Sequence, residues 1–271
     1  MITLRLDTVL EGPLDLTGVT PDALAGLSPE RLRRHKVPYG RRAVALGDLF
    51  SLRGSAMEGA FRFTAVTPHV HGLGAGMREG TLHLEGDCGN LLGAGMRGGE
   101  IRLDGDAGDL AGANMRGGLL RIAGSAGAFL GGGLPGSTSG MRGGTILVAR
   151  HAGARTADRL RRGTIVVGGD AGPGCAAQMI AGTVVVLGQV GAHCALGMRR
   201  GSLLVRAPGF RVPGTFVNTG EYALSFVTLL TGYVGALDTT LARRLRAFRA
   251  VQRWVGDRGC DGLGEILVAR A

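Results

Sequence analysis

The chain has 271 residues, of which 51 are glycine; 45% are apolar and only 4% aromatic. Glycine at that level without a three-residue period excludes collagen, and the apolar fraction excludes simple disorder. The net charge is +10, with Lys36 the only lysine among 31 basic residues, so acidic partners are favoured over neutral ones.

In chain order, MITLRLDT alternates as a strand does and lacks the character of a signal peptide. TPDALAG and SPERLRR each set a capping hydroxyl before a proline, which predicts short helices after Thr20 and Ser28. Phe61 to Val66 reads as a degenerate first copy of the repeat that follows. His69 and His71 have the spacing of a metal pair on a strand, but no third ligand stands near, so they read as surface histidines.

The repeat is marked by Met-Arg-Gly-Gly. Its methionine position falls at Met77, Met96, Met115, Met141, Leu160, Met179 and Met198, in steps of 19, 19, 26, 19, 19 and 19. The one long step places a loop within Gly131 to Gly140. Glycine always follows three residues later, then a short run such as EIRLDG or TIVVGG whose second and fourth residues are Leu, Ile or Val. That alternation is a strand with one buried face. The expected fold is all-β: a right-handed parallel β-helix, or solenoid, of about seven 19-residue turns with α-helical caps. Three segments follow: an N-terminal cap at 1–60, the glycine-rich repeats at 61–207, and a C-terminal segment at 208–271 with an amphipathic helix and a last strand, GEILVAR.

Stacked turns convert each repeat position into a row. The inward rows are apolar, and Cys175 and Cys194 share one with Leu92 and Ala111, as core filler. One outward row reads His83, Arg102, Arg121, Leu147, Val166, Val185, Leu204, changing from polar to apolar halfway. Its apolar half needs a cover, and the helical pattern of Asp238 to Val255 is expected to supply it. The residue after each methionine is Arg78, Arg97, Arg116, Arg142, Arg161, Ile180 and Arg199. Such a file of like charges is either a solvated row, a surface that meets a partner protein, or a contact for an anionic ligand; Glu79, Glu85 and Asp104 are candidate internal counter-charges.

No nucleophile elbow, zinc-protease motif or phosphate-loop lysine occurs, and the GxGxxG-like strings precede strands rather than helices. Asp87, Asp106 and Asp170 share a position beside turn glycines, where aspartate commonly caps turns. The reading is therefore no catalytic residue and no metal site in this chain. The four cysteines lack CxxC spacing, no apolar run spans a membrane, and aromatic surface for nucleic acid is scarce, so a cytoplasmic protein with neither partner is expected.

The GxGMRGG repeat resembles the glycine-rich domain shared by the C subunit of formylmethanofuran dehydrogenase and the C-terminal part of the glutamate synthase large subunit. VPYGRRAVALGDLFSLRG (Val37 to Gly54) and WVGDRGCDGLGEILV (Trp254 to Val268) resemble the flanks of the C-subunit family of formylmethanofuran dehydrogenases, so the likeness covers nearly the whole chain. Departures are Arg41 where that family has Asn, Leu160 and Ile180 within the repeat motif, and the insertion around Pro135. The arginine-rich, lysine-poor composition points to the bacterial branch. The resemblance then implies a structural subunit of a formyltransferase/hydrolase complex of one-carbon metabolism. That complex passes formyl from tetrahydromethanopterin to a methanofuran-like carrier and releases formate. The implied partners are an amidohydrolase-like subunit that holds the metal, a formyltransferase subunit and one further subunit. Alternatives are the C subunit of a tungsten or molybdenum formylmethanofuran dehydrogenase, or a glutamate-synthase-like structural domain. Because such carriers have glutamate-containing tails, the arginine file is a candidate contact for carrier or partner.

Overall fold

The structure is a computed structural model, and it describes residues 1–54, 59–207 and 209–270. The first part of the chain holds β1 (Ile2–Leu6), β2 (Leu14–Asp15), α1 (Pro29–Arg33), β3 (Lys36–Tyr39), β4 (Arg42–Ala45), α2 (Leu46–Leu49), β5 (Phe50–Gly54), β6 (Ala60–Val66) and β7 (Val70–His71). The repeats supply β8 (Thr81–Gly86), β9 (Glu100–Leu103), β10 (Leu119–Ile122), β11 (Arg142–Val148), β12 (Arg162–Val167), β13 (Thr183–Val186) and β14 (Ser202–Val205). After them come β15 (Val217–Tyr222), α3 (Ser225–Leu237), α4 (Thr239–Leu245), β16 (Val251–Gly256) and β17 (Gly264–Ala269).

These strands correct the expected right-handed parallel β-helix with helical caps. They form one mixed sheet of 13 strands, in the order β15-β16-β17-β14-β13-β12-β11-β10-β9-β8-β6-β1-β5, and a separate sheet of four, β4-β3-β2-β7. The reason is local. Within a repeat only one segment extends, from four residues in β9 to seven in β11. The rest of each repeat turns through left-handed residues, for example Leu91 (φ 67°), Leu110 (φ 62°) and Phe129 (φ 58°), which break an extended run. That part meets its neighbours through the single bridges Cys88 to Ala107 to Ala126 to Ala152 to Ala171 to Val190 and through separate backbone hydrogen bonds such as Gly112 N to the Leu92 carbonyl at 2.7 Å. The sheet ends are also strands rather than helices. β5 runs antiparallel on β1 at one end, and β16 and β15 run antiparallel on β17 at the other.

The in-register part of the expectation holds. β8 to β14 pair parallel, with Leu82, Ile101, Leu120, Ile146, Ile165, Val184 and Leu203 in one line. The whole methionine row and that line are fully buried. The glycine pair of the motif is a steric demand. A Cβ on Gly98 would sit 2.2 Å from the carbonyl oxygen of Arg78, and one on Gly99 would sit 2.5 Å from Cε of Met77. Each repeat thus leans its backbone on the previous Met-Arg pair.

The predicted Asp238–Val255 helix is shorter and has a companion. α4 ends at Leu245, a 3₁₀ turn occupies Arg246–Arg249, and Val251 onward is β16. The cover is nevertheless where the apolar row requires it. Leu147, Val166, Val185 and Leu204 are buried in one cluster with Val227, Leu230 and Val234 of α3 and Leu241 and Leu245 of α4. Ser28 caps α1, accepting from the Arg31 N–H. After Thr20 the chain makes turns and no helix.

Candidate functional site

The arginine row is set by the backbone bonds that join successive repeats. The N–H of Arg97 donates to the Met77 carbonyl (2.7 Å), Arg116 to Met96 (2.7 Å), Arg142 to Met115 (2.7 Å), Arg161 to Met141 (2.9 Å) and Arg199 to Met179 (2.8 Å). Ile180 takes the same place on Leu160 (2.8 Å). Methionine points into the core, so its neighbour points out, and Arg78, Arg97, Arg116, Arg142, Arg161 and Arg199 are all exposed. Strand-like spacing puts neighbours about 4.8 Å apart. Among the described residues none of the six forms an ion pair. Only Arg142 has a side-chain hydrogen bond, from Nε to Ser139 Oγ at 2.9 Å. Beside Ile180 and Ala181 the row opens a recess of about 280 Å³ walled by Arg161, Arg162, Arg199 and Arg200.

Of the acids considered as counter-charges, Glu79 is exposed with no ion pair among the described residues, and the other two are committed elsewhere. Glu85 pairs with Arg62, and Asp104 with His83 at 2.9 Å. Glu100 holds Arg102 and Arg121, each at 2.8 Å, and Arg121 in turn donates to the Leu237 carbonyl at the end of α3. Burial pushes the Glu100 carboxyl up, but the hydrogen bonds from Arg102 and Arg121 outweigh it and hold it below the ordinary range. This link between the polar half of the outward row and the covering helix was not foreseen; only the alternation of acid and arginine in EIRL and LLRI hinted at it.

Other chemistry-bearing residues serve the repeat. Asp87 Oδ1 accepts from Asp106 N (2.8 Å), Asp106 Oδ1 from Ser125 N (2.6 Å) and Asp170 Oδ1 from Gln189 N (2.7 Å). Each aspartate therefore ties down the next repeat, where the sequence pattern led us to expect a cap on its own turn. His71 Nδ1 accepts from Asn90 N at 2.9 Å in the same manner, while His69 is exposed. His83, Glu85 and Asp104 bring ligand atoms within 4.8 Å of one another on the sheet surface, a trio that sequence spacing did not single out. Burial pushes the Cys88 thiol up to about 12 and the Cys194 thiol up to about 11, and raises Cys175 as well, so these three are packing groups. Among the described residues no helix is long and apolar enough to cross a membrane.

Comparison with known proteins agrees with this construction. The GXGXG motif family matches residues 64–218. The C subunit of the formyltransferase/hydrolase complex Fhc of Methylorubrum extorquens is 38% identical over 97 residues, an alignment spanning 34% of either chain. A chain in the crystal structure of the formyltransferase/hydrolase complex (FhcABCD) from Methylorubrum extorquens, in complex with methylofuran, superposes with a TM-score of 0.92. It is 37% identical and is matched over 99% of this chain and 100% of its own length. The chain therefore belongs to the GXGXG-motif family and, within it, to the C-subunit type of formyltransferase/hydrolase complexes.

Proposed function

We propose that this chain is the scaffold subunit of a cytoplasmic formyltransferase/hydrolase complex, with its arginine row serving as an electrostatic rail. Formyl transfer from tetrahydromethanopterin and hydrolysis to formate take place on partner subunits: a formyltransferase, a metal-holding amidohydrolase-like subunit and one further chain. Segments 1–60 and 208–271 serve as the ends that dock the 61–207 repeats into the assembly. The rail takes the glutamate-containing tail of a methanofuran-like carrier.

One observation supports this reading above the others: Arg78, Arg97, Arg116, Arg142, Arg161 and Arg199 stand in one file, and among the described residues none of their guanidinium groups forms an ion pair; the one carboxylate contact is to the Arg78 backbone N–H, which donates to Asp22 Oδ2 at 3.2 Å. Neighbouring like charges about 4.8 Å apart repel by roughly 1–4 kcal/mol, depending on the local dielectric. A chain of carboxylates laid along the row removes that repulsion. The solved relative's complex with methylofuran is in keeping with such a tail. The test is charge reversal, Arg97→Glu with Arg116→Glu, in the assembled complex at low salt. Carrier KM is expected to rise about tenfold or more, with the wild-type KM itself rising with salt as screening sets in over about 10 Å. An unchanged KM together with unchanged subunit assembly at low salt refutes the rail.

A further inference from the structure

The last repeat leaves an edge that earlier repeats do not. On each junction the N–H two residues after the column glycine donates to the next repeat: Leu110 to Ala128, Phe129 to Ala154, Arg155 to Pro173 and Gly174 to Ala192. The carbonyl just before that glycine accepts from the next repeat, as Ala152 does from Gly172 and Ala171 does from Gly191. A second carbonyl, three residues beyond the glycine, does likewise, as Thr156 does from Ala176 and Cys175 from Ala195. In the final repeat the equivalent groups are the Val190 carbonyl, the His193 N–H and the Cys194 carbonyl. Among the described residues none of the three has a partner. All three residues line a recess of about 460 Å³, whose opposite wall is Gly209, Phe210, Arg211, Pro213, Gly214 and Thr215. A fourth group is closed differently: the Gly197 N–H donates to Asp257 Oδ2 at 2.9 Å, a carboxylate standing where the next repeat's carbonyl would be.

The chain's own continuation cannot close this edge. The column residue must be glycine, because a Cβ there would lie 2.8 Å from the carbonyl carbon of the glycine before it, as at Gly172 and Gly191. Nineteen residues after Gly191 stands Phe210. The residue two beyond the glycine is left-handed in every repeat, as at Arg155 (φ 55°) and His193 (φ 59°), and the chain offers Val212 there. A β-branched residue resists that conformation. Phe210 instead turns back, its N–H donating to Ala207 at 3.1 Å.

We infer that this edge is a docking groove for a segment of a different polypeptide carrying the pattern Gly-x-z-x-Gly/Ala, where z is not β-branched. The glycine N–H donates to Val190, the following carbonyl accepts from His193, and the last N–H donates to Cys194. A second copy of this chain is a poor occupant. Its internal glycine segments are already paired on both sides, and its first is closed by β2, which pairs with β7 through Leu14 and Val70. Arg211 at the groove favours an acidic residue between the two small ones, while the Asp257 carboxylate in the same lining is already held by the Gly197 N–H.

The test uses the full chain and a synthetic peptide copying residues 105–115, GDAGDLAGANM, which satisfies the pattern. A control peptide carries the G108V substitution. The expected result is binding of the first peptide below about 1 mM, with hydrogen exchange of the His193 amide slowed about tenfold or more; the control binds at least about tenfold more weakly. Equal binding of both peptides, or none at about 1 mM, overturns the groove. So does a His193 amide that in the free chain already exchanges as slowly as that of Gly174. Concentration-dependent self-association of the chain that the peptide reverses assigns the edge to a second copy, and overturns the assignment to a different partner.

Discussion

Gly117 and Gly95 separate two reasons for glycine in this protein. Gly117 is the first glycine of a Met-Arg-Gly-Gly motif, and a Cβ there would meet the Arg97 carbonyl oxygen at 2.3 Å and its carbon at 3.2 Å. No left-handed backbone is involved, so the cost of Gly117→Ala is purely the separation of two hydrogen-bonded repeats. Relieving the clash lengthens the adjacent 2.7 Å bond from Arg116 N to the Met96 carbonyl. A weakened backbone bond costs about 1 kcal/mol and overpacking about 1–3 kcal/mol, so about 3 kcal/mol is expected in total. Gly95 has φ 67° but open space around its Cβ. Its position is filled by Asn114 (φ 54°), Arg159 (φ 53°) and Gln178 (φ 53°) in other repeats, so Gly95→Ala costs only the left-handed penalty of about 1 kcal/mol. At about 2–4 °C per kcal/mol for a chain of this size, thermal melting should fall by about 6–12 °C for Gly117→Ala and by about 2–4 °C for Gly95→Ala. Equal shifts, or a larger one at Gly95, would show that repeats are not pressed together through these glycines.

Asp257 is buried and accepts from the N–H groups of Gly197 and Gly259, both at 2.9 Å. Burial pushes its carboxyl up, but the Thr215 hydroxyl and those two N–H groups outweigh it and leave it below the ordinary value. Its stabilisation is therefore complete above the unfolded value near pH 4 and is lost as pH falls through the lower folded one. Urea titrations between about pH 5 and pH 2 should show a stability slope that Asp257→Asn reduces; an unchanged slope contradicts the assignment. Thiol labelling gives a third check. Cys88, Cys175 and Cys194 are buried and Cys260 is exposed, so the native chain should take up one equivalent of a thiol reagent near pH 8, and the unfolded chain all four. Rapid labelling of Cys194 in the native state would show that the last repeat opens.

The period was legible because glycine stands wherever one backbone rests on another, and that demand recurs at each junction. The inward rows were legible for the same reason: Leu82 to Leu203 must all meet one core. What the remaining part of each repeat does was not legible. Its left-handed positions are filled by ordinary residues such as Leu91, Phe129 and Arg155, so nothing in the letters says that the chain turns there instead of forming further strands. The boundary after Leu245 was hidden by spacing. Val251 and Val255 extend the helical pattern of Leu241, Leu245 and Phe248, yet they also sit two apart on either side of Arg253, as β16 requires. α3 escaped notice because SFVTLLTGYVGAL has no charged residue to contrast with its buried Val227, Leu230 and Val234; its other side leaves Leu229 and Tyr233 exposed. The arginine row itself was visible, but the absence of partners for it was not, since Glu79, Glu85 and Asp104 stand close in sequence.

The two outward rows explain each other. The row that ends in Leu147, Val166, Val185 and Leu204 is apolar where α3 and α4 lie and polar where they do not, and Glu100 with Arg121 fastens the boundary by gripping the Leu237 carbonyl. The chain thus supplies its own cover for the apolar surface the repeat creates. For the arginine row the described residues supply no acidic row: Arg142 Nε has Ser139 Oγ, and the carboxylates of Glu85, Asp104 and Glu100 are spent on Arg62, His83 and Arg102. The other exposed arginines divide: Arg5, Arg102 and Arg270 are paired, while Arg150, Arg162 and Arg200 form no ion pair among the described residues, so what sets the row apart is its alignment in one file. Like charges in file cost free energy in the isolated chain, and solvation, a partner surface or a bound anion each reduce that cost. On the rail proposed above, isolated and assembled forms should differ most in salt dependence: the free chain gains stability as salt screens the row, and the assembled chain loses affinity for an acidic ligand over the same range.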